Sequence, residues 1–299
     1  MRDTQPSATA LMSAAARAAH LIVDDEPYLF RDSLAGAMLG ERAEELIAYH
    51  RVRGDHIVLA GTRAQVTTRS YYAEKCLATG GFEQYVILGA GLDTFAYRSA
   101  LVAGLTVFEV DHPATQSAKR RMLSERGVEP LGRTVYLPLD LETDSLVPHL
   151  VSSGFDPARP SLIACLGVLM YLSSGAVEGL VASLGVLSGA GTPVASTPTF
   201  HLILEYALPP SHRDFRGAAY ADIALTAAAD HGEPWLSFHT PSDMDDLLAR
   251  HGFSDTTHIP QSDCVPVEFW SRTDVLVPAD LCRLAHTHRV VPPAAAAAR

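Results

Sequence analysis

The stretch Tyr85–Asp111, YVILGAGLDTFAYRSALVAGLTVFEVD, constrains the fold more than any other part of the chain. A short apolar run, Tyr85 to Leu88, reads as a buried strand and breaks at Gly89-Ala90-Gly91. A second apolar run, Leu105 to Val110, ends in Asp111. Strand, glycine turn, crossover, strand and acid form the layout of a nucleotide-binding α/β unit. The glycines let backbone N–H groups come close to a ligand. The carboxylate at the tip of the second strand can accept from two ribose hydroxyls.

The turn also discriminates between adenosine cofactors. A dinucleotide fingerprint wants a third glycine three residues after the second. Here position 94 is Thr, and Asp93 sits inside the turn. A carboxylate there repels a pyrophosphate but suits a ligand carrying an amino group or a sulfonium. The turn therefore fits S-adenosylmethionine better than NAD.

Composition excludes several classes. A net charge of −11 leaves no basic excess for nucleic acid, so no nucleic-acid partner is expected. No apolar run is long enough to span a bilayer, and no membrane partner is expected. The N-terminus lacks a signal-peptide pattern, and the widely spaced Cys76, Cys165, Cys264 and Cys282 read as reduced thiols. A cytoplasmic protein is expected. Thirteen histidines form no zinc spacing, so no metal is expected; His286 and His288 share a strand face and read as packing or surface.

Along the chain, residues 1–80 read as a helical cap, with apolar faces at Ala10–Val23, Asp32–Leu39 and Glu41–Arg51. Residues 81–290 alternate strand and helix patterns, which argues a mainly parallel sheet. Strands are expected at 85–88, 105–110, 133–139, 161–167, 192–196, 254–259 and 283–290. After Asp111, Pro113 suits a first helical position, and the helix ATQSAKRRMLSER should stop at Gly127. The proline-broken stretch 198–245 reads as a partly helical insertion over the cleft, and 291–299 as a disordered tail.

With these segments in place, the chain resembles the leucine carboxyl methyltransferase family, in its bacterial branch. The anchors are SATALMSAAARAAH, TTRSYYAEKCL, QYVILGAGLDTFAYR, VFEVDHPATQSAKR, LPLDLE, GVLMYL and GEPWLSFHTPSDMDDLLARHGF, across roughly residues 7–290. The resemblance implies a class I methyltransferase fold, a Rossmann-like seven-stranded α/β sheet with an N-terminal helical cap, using S-adenosyl-L-methionine. It also implies residue roles. Arg69 would grip the carboxylate of the cofactor's methionine part, a task suited to a planar guanidinium fork. Gly89, Ala90, Gly91 and Asp93 would form the turn beside that part, and Asp111, followed by His112, would hold the ribose. Asp140 and Leu141 would lie at the adenine. Leu166 stands at the cofactor where better-known carboxyl methyltransferases carry glutamate, and Tyr71 stands where many relatives carry a second arginine.

The expected function is an O-methyltransferase acting on a carboxylate or hydroxyl of a small molecule, such as a natural product. Tyr171 and His201 are the candidate substrate contacts, and no catalytic base is assigned. Two alternatives are a protein C-terminal carboxyl methyltransferase, which needs an open groove, and a cofactor-binding protein repurposed away from methyl transfer.

Overall fold

The computed structural model describes residues 7–189, 200–253 and 255–289. Three helices come first: α1 (Ala8–Val23), α2 (Ala43–Val52) and α3 (Ile57–Gly80). Then follow β1 (Gln84–Leu88), the short α4 (Phe95–Arg98), β2 (Thr106–Asp111), α5 (Pro113–Glu125), β3 (Arg133–Pro138), α6 (Leu146–Ser152), β4 (Ser161–Cys165) and α7 (Ser174–Gly189). The remainder is β5 (Phe200–Ala207), α8 (Phe215–Asp230), α9 (Pro241–Arg250), β6 (Thr256–Pro260) and β7 (Cys282–Arg289).

The strands form one seven-stranded sheet in the order β3-β2-β1-β4-β5-β7-β6. The first five in that order run parallel, while β7 is antiparallel to both β5 and β6. Strand order reverses at β1, which lies between β2 and β4. Open α/β sheets take ligands beyond the carboxyl ends of strands at such a reversal.

Both faces of the sheet are covered, which is why its central strands read as unbroken apolar runs. Side chains alternate along β1. Val86 and Leu88 join Phe108, Val110, Leu180 and Leu184 on one face. Tyr85 and Ile87 pack on the other with Leu11, Ala14, Met38 and Leu46 from the N-terminal helices. These helices thus share a core with the sheet rather than forming a separate body. Buried ion pairs pin them further. Arg63, fully buried on α3, holds Asp24 after α1 through two nitrogens, the closest at 2.8 Å, and donates to the His50 ring of α2 at 3.1 Å.

Six of the seven expected strands fall within two residues of those observed. The exception is the run expected at 192–196, which lies outside the described residues. The strand that fills this place in the sheet is β5, inside the stretch read as an insertion. Flanking prolines and the charged Glu205 disguised it. Glu205 is nearly fully buried, and it is accommodated because Arg69 and Gln65 of α3 donate to it at 2.6 and 2.9 Å. The rest of 198–245 carries α8, a loop through Gly232–Leu236, and α9. The helix after Asp111 starts at Pro113 as expected, and Gly127 follows its end with φ +60°.

Candidate functional site

A cavity of about 560 Å³ opens at the carboxyl ends of β1 and β4. Its floor is the glycine turn. Gly89 has φ +68° and Gly91 φ +48°, a left-handed geometry that glycine adopts without a Cβ penalty. A Cβ at position 89 would collide with the Val168 side chain, so the turn after β1 and the turn after β4 close against each other. At Gly167, with φ +71°, a Cβ would come within 2.6 Å of the Arg69 guanidinium. The absent side chain is what lets Arg69 reach the cavity.

Arg69 is 14% exposed, and its Nη1 donates to Glu205 Oε2 at 2.6 Å. One side of the fork is thus anchored while the rest borders the cavity. Asp111 closes the end of β2. One carboxylate oxygen accepts from the Gly91 amide and the other from the His112 amide at 2.6 Å. Burial raises the Asp111 pKa, and these two amides offset part of that rise. The N-cap of α5 is His112, whose Nδ1 accepts from the Ala114 amide at 3.2 Å, so Asp111 itself is not the capping residue. In the glycine turn, Asp93 Oδ1 accepts from the Phe95 amide at 2.7 Å and holds the start of α4. Asp140 organises the turn after β3, accepting from the Glu142 amide at 3.0 Å, while Leu141 packs beside it at the cavity wall.

The structure therefore brings Arg69, Gly89, Ala90, Gly91, Asp93 and Asp111 to one cavity. His112, Asp140, Leu141, Leu166 and Tyr171 line it as well. His201 is a correction. It sits at the entering end of β5, opposite Leu162 at the start of β4, whereas the cavity lies at the carboxyl ends. Its ring bonds His286 at 3.0 Å and packs against Phe82 and His288, so it makes no substrate contact in this arrangement. Tyr71 faces the other way along α3, among Val265, Phe269 and Leu276, so an arginine's absence there removes nothing from the cavity wall.

Sequence reading missed the residues that roof the cavity. Thr9, Ala10, Ser13 and Arg17 recur at three- and four-residue steps, so one face of α1 lines it. Arg17 also donates to the Leu92 carbonyl at 2.7 Å and pairs with Asp32 at 2.8 Å, which fixes α1 to the glycine turn. Glu233, in the loop after α8, accepts from the Ala8 and Thr9 amides at 3.1 and 3.0 Å and from the Ser7 hydroxyl at 3.0 Å. A carboxylate at a helix N-terminus satisfies orphan amides and complements the helix dipole. No local motif announces this pairing, because its partners are 225 positions apart.

The fit to an adenosine-containing sulfonium cofactor rests on these features: a glycine cradle, an acid at the tip of β2, and an anchored guanidinium opening on the cavity. Among the described residues, no cluster of three or more His, Cys, Asp or Glu could hold a metal ion. Among them also, no helix is long and apolar enough to cross a membrane.

Fold and site together define an S-adenosylmethionine-dependent methyltransferase of the class I type. The leucine carboxyl methyltransferase family matches residues 10–185, more than half of the chain, and the chain belongs to that family. YktD of Bacillus subtilis, whose name assigns it to the S-adenosyl-L-methionine-dependent methyltransferases, is 29% identical over 92% of this chain and 95% of its own length. The Mycobacterium tuberculosis protein Rv1896c, named in the same terms, is 36% identical over 60% of this chain and 56% of its own. In fold, the chain is similar to the crystal structure of a Thermobifida fusca protein described as a methyltransferase. The TM-score is 0.58 at 15% identity, with 96% of each chain covered.

Proposed function

We propose that this methyltransferase acts on an oxygen of a small molecule, a carboxylate or a hydroxyl, as in a natural product. The observation that carries the small-molecule reading is the closure by Glu233. Its bonds to the first turn of α1 draw the Gly232–Leu236 loop over the cavity, where a peptide-methylating enzyme would need an open groove.

In this reading Arg69 holds the cofactor's carboxylate, while Gly89, Ala90, Gly91 and Asp93 receive its amino-acid part. Asp111 with His112 holds the ribose, and Asp140 and Leu141 meet the adenine. Leu166 contributes an apolar wall. S-adenosylmethionine supplies an electrophilic methyl group, and methyl transfer is an in-line displacement. The chain's work is then chiefly alignment and exclusion of water, and alignment alone can contribute on the order of 7–11 kcal/mol in favourable systems. A carboxylate acceptor is ionised at neutral pH and needs no base. A hydroxyl would need one within hydrogen-bond reach.

The test is transfer of radiolabelled methyl from S-adenosylmethionine to aromatic and aliphatic acids and phenols, with a leucine-terminated peptide alongside. Label on a small molecule supports the reading. Volatile methanol released in mild base marks an ester, and base-stable label marks an ether. Label on the peptide alone would support a protein carboxyl methyltransferase. Tight cofactor binding without transfer to any acceptor would favour a repurposed binding protein.

A further inference from the structure

A second cavity, of about 270 Å³, adjoins the first. Thr9, Ser13, Arg69, Gly167 and Tyr171 line both, so the two meet at Arg69 and Tyr171. One wall of this annex is a face of α8. Tyr220, Ala224 and Ala228 recur at the helical repeat, and the alanines hold that wall back. Met12, Val58 and Val66 from α1 and α3 stand opposite. The Tyr220 ring lies where a Cβ on Gly61 would come within 2.7 Å, and its hydroxyl bonds Thr62 Oγ1 at 2.8 Å. Trp235 stands edge-on to Tyr171, with ring centroids 6.2 Å apart.

The annex's polar groups are largely engaged with each other. Thr62 donates to the Val58 carbonyl at 2.7 Å, Gln65 donates to Glu205 at 2.9 Å, and Arg69 is paired with the same glutamate. Apart from Arg69 and the exposed His231 at the rim, the residues lining it are uncharged. A polar or ionised ligand portion placed there would lose water without gaining partners. An apolar one would lose nothing.

The cofactor-side residues from Arg69 to Tyr171 fall inside the family match at 10–185, whereas Tyr220, Ala224, Ala228 and Trp235 fall outside it. The annex thus joins α1 and α3 residues inside the match to an α8 face and Trp235 beyond it.

We propose that the annex is the acceptor site, and that it takes an uncharged, apolar portion of the methyl acceptor about the size of two fused rings, presenting the acceptor oxygen at the Arg69–Tyr171 junction. The size follows from comparison: a dry cavity of about 150 Å³ holds one benzene ring. The proposal rests on the reading that the larger cavity holds the cofactor.

The experiment uses the full chain saturated with S-adenosylhomocysteine and the neutral fluorescent probe N-phenyl-1-naphthylamine. Calorimetry first measures S-adenosylhomocysteine affinity for the wild type and for Ala224→Phe and Ala228→Leu, which fill the annex from a half-exposed helix face. The expected result is saturable one-site probe binding to the loaded wild type, at least tenfold weaker in the variants, with S-adenosylhomocysteine affinity changed less than twofold. Should Ala224→Phe fail to bind S-adenosylhomocysteine, the milder Ala228→Leu decides. Equal probe binding in wild type and folded variants, or no saturable binding to the loaded wild type, would overturn the proposal. Failure of the wild type to bind S-adenosylhomocysteine would overturn instead the cofactor reading beneath it.

Discussion

Arg69 and Glu205 are joined by a 2.6 Å ion pair that links α3 to the middle of the sheet at the back of the cavity. The pair fixes the guanidinium before any ligand arrives, so a bound carboxylate meets an oriented fork rather than a free side chain. Removing one partner of a buried pair leaves the other uncompensated. Glu205→Gln is expected to destabilise the protein by about 3 kcal/mol, at the low end for such pairs because Arg69 borders a cavity water can enter. Thermal and urea unfolding measure this, and a change within 0.5 kcal/mol, about the additivity noise of such comparisons, would show the pair to be dispensable.

Arg69→Met should weaken S-adenosylhomocysteine binding by about 1.5–3 kcal/mol, the worth of a charged hydrogen bond. Methylthioadenosine, which lacks the amino-acid part, should be nearly unaffected. Equal losses for both ligands in calorimetry would refute a carboxylate-binding role for this arginine.

Asp111→Ala removes the acceptor from the tip of β2 and also frees the Gly91 amide that it now holds. Affinity for both S-adenosylhomocysteine and methylthioadenosine should fall, each by about 1.5–3 kcal/mol, because both carry the ribose. Unchanged affinity for both would remove Asp111 from the ribose site.

Glu233→Ala should loosen the first turn of α1 while sparing the sheet. Loss of an N-terminal cap costs about 0.5–2 kcal/mol. Faster amide hydrogen exchange at residues near Thr9, with sheet protection retained, is the expected signature. The KM for S-adenosylmethionine should rise. Unchanged exchange in α1 would mean the loop does not hold the roof down.

Two histidines make the fold acid-sensitive. Burial, with Arg63 beside it, lowers the His50 pKa to about 4, and burial, with His201 and His288 nearby, does the same to His286. A histidine with a folded pKa below its unfolded value of 6.5 takes up a proton on unfolding between those two values. Stability should therefore be intact well above pH 6.5 and fall as pH drops toward 4, by roughly 1.5 kcal/mol per histidine between pH 6.5 and 5. His50→Gln, which can still accept from Arg63, should flatten the Tm-against-pH profile across that window. An unaltered profile would exclude His50 as a contributor.

The parts legible in the sequence were those whose chemistry is local. The Gly89–Gly91 turn, Asp111 at a strand tip and Pro113 at a helix start each carry their reason within a few neighbours. What resisted reading depends on distant partners. Glu205 is a charged position inside a strand and is accommodated only by Arg69 and Gln65 of α3, so β5 was read as part of an insertion. Arg17 stands within an alanine-rich helix, and its span from α1 to Leu92 and Asp32 has no local signal. His201 was misplaced for a related reason: a position in the chain near a cleft-facing segment does not say which end of its strand the side chain occupies.

The bond between Glu233 and the start of α1 also sets an order of assembly. Chains emerge from the ribosome N-terminus first. The start of α1 must therefore wait for a partner made 225 residues later. A nascent chain halted after residue 185 would carry the whole stretch matched by the family, but not the loop that roofs the cavity. During synthesis, the mouth of this enzyme is closed only after the sheet's first four strands have been made.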